Sequence, residues 1–275
     1  MEKNKLDFFD CNSMIGKWLA YPRFRDVLSS QDLISEMDYF GIEKSIVGSI
    51  LAWQGDTNSG NNFLFDEVKN QNRLIPAFVA DPVNFDNMLS TSSLLKTNLK
   101  IVRLFLNTSS SGGEDNIVLS YLGVSDIFKR LNQLSMPLLL HLVENGVNLL
   151  TAEGDPTYHF VPDYFWDKLF KLANQYPNFP IILTRVGDFQ HTMLKLLMKK
   201  TENVYFEFSG SQRYNGIEDL VSDVGPNRIL FGTWLPFTDP GYSMSKLIYA
   251  DISKKDKELI SHVNLENLLG GVKIE

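Results

Sequence analysis

Apolar, β-branched runs alternate with segments of helical periodicity along the whole chain, and this alternation constrains the fold more than any other feature. Residues 44–50 form one such run, and residues 30–40 carry apolar side chains at helical spacing before Gly41. Strands that alternate with helices pair in parallel through right-handed crossovers. Eight such units in 275 residues favour a closed barrel over an open doubly wound sheet. The Gly-x-Gly-x-x-Gly sequence typical of an open dinucleotide-binding sheet is missing.

The pattern therefore predicts one α/β domain over residues 1–275, a single (β/α)8 TIM barrel of the usual length for that fold. The predicted strands are residues 5–10, 44–50, 73–80, 100–106, 137–142, 179–184, 204–208 and 228–231. The predicted helices are residues 30–40, 63–70, 85–95, 125–134, 163–175, 191–199, 216–223 and 244–269. Two long stretches, residues 107–116 and 143–162, are predicted to be loops that cover the barrel mouth.

Charge and composition exclude several classes of partner. The net charge of −7 and the pI near 5.2 argue against nucleic acid and anionic membranes, which require clustered Lys and Arg. Cys11 is the single cysteine, so an internal disulfide is excluded and a reducing compartment is favoured. No apolar stretch approaches the ~20 residues of a membrane span, and no signal-peptide pattern opens the sequence. We therefore expect a cytoplasmic protein, and a homodimer is the commonest oligomer for such proteins.

The candidate functional residues lie where predicted strands end, because the chemistry of such barrels is built at the carboxyl ends of the strands. Alternation along an extended first strand directs Asp10, Asn12 and Met14 to one side and Cys11 to the other. The candidate site residues are Asn12, Met14, Arg103, His141, Arg185, Glu207 and Trp234.

Fragments along nearly the whole chain match one known pattern in order and spacing. They include residues 33–42, residues 136–141, which end in His141, and residues 228–233. Residues 10–16 match an opening Asp-x-His-x-His-x-Gly frame at Asp10 and Gly16. Together these fragments resemble the amidohydrolase-related family (amidohydrolase 2, decarboxylase-like branch). The resemblance implies a barrel of the metallo-dependent hydrolase type.

The resemblance also implies a metal site, but this sequence replaces most of its ligands. The family uses two first-strand histidines, a fifth-strand histidine and an aspartate after strand eight. The matching residues are Asn12, Met14, His141 and Trp234, and Arg185 replaces a histidine after strand six. A thioether is a soft ligand, an indole offers no lone pair, and a guanidinium repels a cation. We therefore predict a degenerate metal site and no metal or other cofactor.

Each remaining candidate has a functional and a structural interpretation. His141 is either a general acid/base at the mouth or a buried histidine bonded to a neighbour. Arg185 is placed with His141 in the predicted catalytic pair and is expected to bind a carboxylate or a phosphate, since a guanidinium suits bidentate anions. Arg103 either assists it or pairs internally, and Glu207 is predicted to form an ion pair.

Asn12, Met14 and Trp234 complete the predicted substrate-binding set, with Trp234 filling the space of the metal or stacking on a flat ligand. Two functions follow from these assignments. The first is a hydrolase or lyase that acts on a small, anionic, carboxylated molecule without a metal. The second is a catalytically inactive descendant of the same family that binds a ligand or serves in assembly.

Overall fold

Eight parallel strands form a nearly closed barrel in the computed structural model, which describes residues 6–17, 26–54, 56–80, 99–105, 122–142 and 163–273. The strands are β1 (Phe9–Ile15), β2 (Lys44–Ser49), β3 (Leu74–Val79), β4 (Ile101–Phe105), β5 (Leu138–His141), β6 (Ile181–Thr184), β7 (Val204–Glu207) and β8 (Ile229–Leu230). The α-helices of the described residues are α1 (Ser30–Phe40), α2 (Ile50–Trp53), α3 (Thr57–Val68), α4 (Leu122–Leu134), α5 (Asp163–Gln175), α6 (His191–Lys200), α7 (Gly216–Val224), α8 (Pro240–Tyr249), α9 (Lys254–Glu258) and α10 (Asn264–Gly270). The predicted (β/α)8 architecture is confirmed.

The strands are hydrogen-bonded in chain order from β1 to β8, each parallel to the next. The ring closes between β8 and β1 through backbone hydrogen bonds. The Trp234 amide donates to the Asn12 carbonyl at 2.8 Å, and the Met14 amide donates to the Leu235 carbonyl at 2.8 Å. These bonds make residues 12–14 part of β1, whereas the sequence predicted a polar turn there. The other strands lie where they were predicted, within a few residues.

Three predicted segments, the helix over residues 85–95 and the loops over residues 107–116 and 143–162, lie outside the described residues. Within the described part of the chain, every helix is too short or too polar to cross a lipid bilayer.

Side chains that alternate along the strands separate the barrel interior from the layer beneath the helices. Leu138 and Leu140 belong to the same apolar cluster as Leu131 of α4, whereas Leu139, between them, belongs to the interior cluster. The interior cluster consists of Phe9, Cys11, Ile46, Ala77, Ile101, Leu139, Ile182 and Leu230, with Leu265, Leu268 and Leu269 of α10. Because α10 supplies leucines to it, this helix covers the amino-terminal end of the barrel.

β1 departs from regular alternation at one point. Asp10 pairs with Ser45 and Ser13 with Val47, so two residues of β1 lie opposite a single residue of β2. Such a bulge re-aims the side chains around it. Cys11 therefore joins the interior cluster. Asn12 and Met14 are buried in the interior as well, so the prediction that Cys11 lies on the opposite side of the strand from them is wrong.

The helix over residues 30–40 is confirmed as α1, and its ends show why the sequence specifies it. Ser29 accepts a hydrogen bond from the Asp32 amide, and the Asp32 side chain accepts one from the Ser29 amide, which forms a capping box. Gly41 ends the helix in the left-handed region at φ 73°, where glycine has no steric penalty.

The C-terminal region, predicted as one helical stretch, is divided into α8, α9, a π-helical turn over residues 259–263, and α10. The Ile260 carbonyl in this turn accepts a hydrogen bond from the Phe231 amide at 3.1 Å, directly after β8. The Asn264 side chain donates to the carbonyls of Pro226 and Ile229 at 2.8 and 2.9 Å. The two-residue strand β8 is thus held from outside by the C-terminal helices.

Candidate functional site

The candidate residues meet in the carboxyl-terminal half of the barrel interior and at its mouth. Asn12, Met14, Arg103 and Glu207 are fully buried at 0% exposure, and His141 is 3% and Trp234 6% exposed. Arg185, directly after β6, is partly buried. Most of these side chains therefore lie in the interior rather than on an open surface.

Glu207 is a buried carboxylate surrounded by hydrogen-bond donors. Its oxygens accept from the Asn12 side-chain amide at 2.9 Å, the Ser209 hydroxyl at 2.9 Å and the Ser209 backbone amide. Burial raises the pKa of Glu207, and these donors together with Arg185 oppose the rise. A Cβ atom on Gly232 would lie 2.5 Å from the carboxyl carbon, so only glycine leaves room for this side chain.

Asp10 joins the first and last strands of the barrel. Its side chain accepts from the Asn12 amide at 2.8 Å, from the Thr233 amide at 2.9 Å and from the Thr233 hydroxyl. Burial raises the pKa of Asp10 to about 6 although these bonds act in the opposite direction. Asp10 is therefore engaged in closing the barrel.

Arg103 projects from β4 into the interior as a buried cation. Its Nη1 donates to the Met14 sulfur at 2.8 Å, and its Nε and Nη2 have no hydrogen-bond partner within the described part of the chain. Burial lowers the pKa of the guanidinium to about 10, so the group stays charged at neutral pH. A Cβ atom on Gly48 would lie 3.4 Å from its Cζ and 2.8 Å from the Met14 sulfur.

His141, at the end of β5, is held between aromatic rings. Its Nδ1 lies 3.0 Å from the Thr184 hydroxyl, and its ring centre lies 4.4 Å from Trp234 and 4.9 Å from Phe105. Burial first, then the charges of Arg103 and Arg185, lower the pKa of His141 well below 6.5. The imidazole is therefore neutral at pH 7 when no anion is near.

An aromatic cluster covers the interior at the mouth. It consists of Trp53, Phe105, Trp234 and Phe237 around His141. Trp53 stacks on Phe105 with ring centres 4.9 Å apart, and Phe237 lies 4.9 Å from Trp234. The sequence predicted Trp234 at this place but missed Trp53 and Phe105, although both stand at or just beyond the end of a strand.

Two residues of the mouth have left-handed backbone conformations that side chains rarely adopt. Arg185 has φ 60° and Trp234 has φ 59°, and such conformations concentrate at functional sites. The Arg185 guanidinium lies over the Trp234 ring, 5.9 Å from its centre. A Cβ atom on Gly210 would lie 2.8 Å from the Arg185 Cα, so the backbone of Arg185 is packed tightly in place.

The donor set at the predicted metal positions does not fit a divalent cation. The Met14 sulfur accepts a hydrogen bond from a guanidinium, and Trp234 places an indole ring against His141. Within the described residues, no group of three or more His, Cys, Asp or Glu side chains is arranged to hold a metal ion. His141 is the one good ligand among the four matched positions, whereas a catalytic zinc site has three.

Comparisons with known proteins support the fold. No protein-family model matches the chain, and no curated protein matches it. Three solved structures similar to it cover nearly its whole length. A 2,6-dihydroxybenzoate decarboxylase in complex with 2,6-dihydroxybenzoate is 17% identical over 97% of this chain and 99% of that one, with a TM-score of 0.72.

A dihydroxybenzoic acid decarboxylase from Polaromonas, with bound manganese and the inhibitor 2-nitroresorcinol, is 17% identical over 97% of each chain, with a TM-score of 0.70. A protein described as amidohydrolase II is 15% identical over 96% of this chain and 100% of that one, with a TM-score of 0.72. At these identities the likeness concerns the fold. It confirms the (β/α)8 barrel that the sequence predicted, and it shows that the chain is similar in fold to two decarboxylases and to a protein described as amidohydrolase II.

Proposed function

We propose that this protein is a lyase or hydrolase that acts on a small aromatic carboxylate at the barrel mouth without a catalytic metal. The observation that carries the proposal is the juxtaposition of a guanidinium, an imidazole and indole rings: Arg185 lies over Trp234, which packs on His141. Aromatic walls suit a flat ring, and a guanidinium suits its carboxylate. The similar decarboxylases act on carboxylated aromatics by name, which supports this substrate class.

In this proposal, Arg185 binds the carboxylate and the aromatic cluster stacks on the ring. Asn12, Met14 and Glu207 lie deeper and shape the floor of the site through the Asn12–Glu207 hydrogen bond. Burial is the main cause of the lowered pKa of His141 in the free protein, and the positive charges of Arg103 and Arg185 lower this pKa further. The substrate's negative charge offsets those two charges. Binding of the anion therefore raises the pKa of His141 and allows the imidazole to carry a proton.

For a decarboxylation, the protonated imidazole of His141 donates its proton to the ring carbon that bears the carboxylate. The bond to the carboxylate then breaks, its electron pair returns to the ring, and carbon dioxide leaves. The neutral imidazole takes its next proton from water. For the hydrolysis of an ester, the neutral imidazole instead accepts a proton from the attacking water, whose oxygen bonds to the carbonyl carbon. The bond from that carbon to the leaving oxygen then breaks, and the imidazolium gives its proton to the leaving oxygen. Neither route passes through a metal, because the donors at the matched positions do not suit one.

A specific observation favours a second candidate, ligand binding without turnover. His141 is only 3% exposed, with aromatic rings packed against it. A general acid or base must come within hydrogen-bond reach of the atom it serves. If the cluster does not open for the substrate, the mouth binds an aromatic anion and catalyses nothing.

Binding and turnover are tested separately. Binding of benzoate and 2,6-dihydroxybenzoate is measured by quenching of tryptophan fluorescence, with benzamide as the uncharged probe. Arg185→Gln should weaken binding of the carboxylates ~10- to 100-fold, the value of one hydrogen bond to a charged group. The exposed Arg213, which pairs with Asp219, supplies the control Arg213→Gln, which should leave binding unchanged. Equal affinities for benzoate and benzamide would contradict the proposal.

Turnover is followed as loss of carbon dioxide and as deuterium exchange at the ring carbon of resorcinol in D2O, by proton NMR. The wild type should exchange this proton in the presence of a chelator, and His141→Gln should not. Exchange that appears only after manganese is added would refute the metal-free mechanism. Binding with neither carbon dioxide release nor ring exchange in any condition would exclude the lyase, and the second candidate would be favoured if esters of aromatic carboxylates are not hydrolysed either.

A further inference from the structure

We infer that Arg103 forms an internal binding site for a planar oxyanion, separate from the guanidinium at the mouth. Arg103 is fully buried, and its Nη1 uses the Met14 sulfur as acceptor at 2.8 Å. Its Nε and Nη2 have no hydrogen-bond partner within the described residues. A buried cation with two unsatisfied donors is costly, and such donors normally have partners.

The two donors without partners form one edge of the guanidinium. Nε–H and Nη2–H point the same way, and their spacing matches the two oxygens of a carboxylate, a bicarbonate or a nitrate. The thioether of Met14 is a weak acceptor and carries no charge. The edge that faces away from Met14 is therefore the one suited to a bidentate anion.

The carboxylates nearest in the interior are already engaged with other donors. Asp10 accepts from Asn12 and Thr233, and Glu207 accepts from Asn12 and Ser209. Asn12 Oδ1 is a further buried polar atom that has no partner among the described residues. The described interior thus holds polar atoms that its own side chains do not satisfy.

Gly48 keeps the space in which the guanidinium lies. A Cβ atom at this position would be 3.4 Å from the Arg103 Cζ, 3.5 Å from its Nε and 2.8 Å from the Met14 sulfur. The Phe105 ring lies on another side, 5.7 Å from the Cζ atom. The guanidinium is therefore fixed in orientation, and an anion reaches it when the aromatic cluster opens.

The inference deepens the proposed function and rests on it for the identity of the ligand in the cell. The planar oxyanion comes from one of two sources: a second carboxylate on the aromatic substrate, or a small free anion such as bicarbonate. Both present two coplanar oxygens to the same edge of Arg103. An aromatic dicarboxylate would span the mouth and the interior, whereas a free anion would occupy the interior alone.

The experiment compares wild type with Arg103→Lys and Arg103→Met. Arg103→Lys keeps the charge and loses the paired donors, whereas Arg103→Met loses both. The probes are nitrate, which is planar, and perchlorate, which has the same charge and is tetrahedral. Nitrate should shift the Arg103 Nε–H signal in nitrogen-15 NMR, and perchlorate should not. Both variants should bind nitrate at least ~10-fold more weakly than wild type, and Arg213→Gln should bind it normally.

The source of the oxyanion is identified with benzoate, isophthalate and bicarbonate. If the substrate supplies it, isophthalate binds wild type more tightly than benzoate does, and Arg103→Lys abolishes the difference. If a free anion supplies it, bicarbonate shifts the same signal whether or not benzoate is present. Nitrate binding without benzoate binding would sustain the internal site and remove the proposed function. Benzoate binding with an Arg103 signal that no planar anion moves would overturn the internal site.

The melting temperature is a second measurement, because a ligand-binding role and a structural role of Arg103 predict different results for it. If Arg103 serves a ligand, Arg103→Met should leave the melting temperature unchanged or raise it, because a buried charge with unsatisfied donors is removed. If the melting temperature falls and planar anions do not bind, Arg103 is a structural cation and the inference is wrong.

Discussion

Replacing Asp10 with asparagine should stabilise the protein at neutral pH and destabilise it in mild acid. Asp10 accepts hydrogen bonds from the Asn12 and Thr233 amides and from the Thr233 hydroxyl. An asparagine oxygen retains the two backbone bonds, and its amide faces the Thr233 hydroxyl, which can accept. The hydroxyl proton then loses its acceptor. The substitution thus removes a buried charge at the expense of about one hydrogen bond.

The magnitude follows from the pKa of Asp10, which burial raises from 3.8 to about 6. Because the folded state holds this proton more tightly than the unfolded state, the contribution of Asp10 to stability falls as pH rises from about 4 to about 6. Above pH 6 the ionised carboxylate costs roughly 3 kcal/mol. Subtracting about 1 kcal/mol for the lost hydrogen bond, we expect Asp10→Asn to gain about 2 kcal/mol at pH 8 and to lose about 0.5 kcal/mol near pH 4, where part of the cost of ionisation remains.

The assay is urea unfolding at constant ionic strength from pH 4 to pH 8, with the free energy of unfolding extrapolated at each pH. The two stability curves should cross between about pH 4 and pH 5. Asp66, whose side chain is 79% exposed, supplies the control Asp66→Asn, which should follow the wild-type curve. Parallel curves, with Asp10→Asn less stable by the same amount at every pH, would refute the reasoning and assign Asp10 a purely hydrogen-bonding role.

Three further results are expected. Gly232→Ala should lower the free energy of unfolding by about 1–3 kcal/mol through overpacking against Glu207. Gly187→Ala, with open space around its Cβ position, should change the free energy of unfolding little. Equal effects of the two substitutions in urea unfolding would contradict this prediction. The carbon-13 ring signals of His141 should show a neutral imidazole throughout pH 6–8, since its pKa lies well below 6.5. Benzoate should raise that pKa. A titration midpoint of His141 at 6.5 in the free protein would be inconsistent with the site described. Ser29→Ala should lower the free energy of unfolding by about 1 kcal/mol, because it removes the N-cap side chain of α1. An unchanged midpoint of urea unfolding would contradict this prediction.

The sequence was sufficient for the architecture because most strands and helices carry a local signal of their own. α1 was predicted to the residue from its apolar spacing and from Gly41 at its end, and in the structure Ser29 caps its start. β1 was predicted poorly, since its last residues carry no strand pattern of their own and become strand through pairing with β2 and hydrogen bonds with residues 234 and 235. The bulge after Asp10 likewise depends on pairing with β2, and no local sequence pattern predicts it.

The candidate site was predicted only in part, because it also depends on contacts between residues that are distant in the sequence. Position along the strands identified the residues that converge, but not how they pair. The bond between Asn12 and Glu207 joins residues 195 positions apart, and the contact between Arg103 and Met14 joins residues 89 apart. Burial of His141 depends on Trp53, which belongs to a short helix that periodicity cannot detect in four residues.

The support of β8 by helices has a consequence for how this protein adapts. Phe231 takes its acceptor from the π-helical turn, and Asn264 ties the start of β8 to the same region. Trp234 follows within a few residues, so a shift of the C-terminal helices moves an indole that lines the mouth. Laboratory selection for a new ligand should therefore collect substitutions on the outer surface of those helices, far from any atom the ligand touches. The position of Trp234 at the mouth is thus adjusted by residues that lie outside the site.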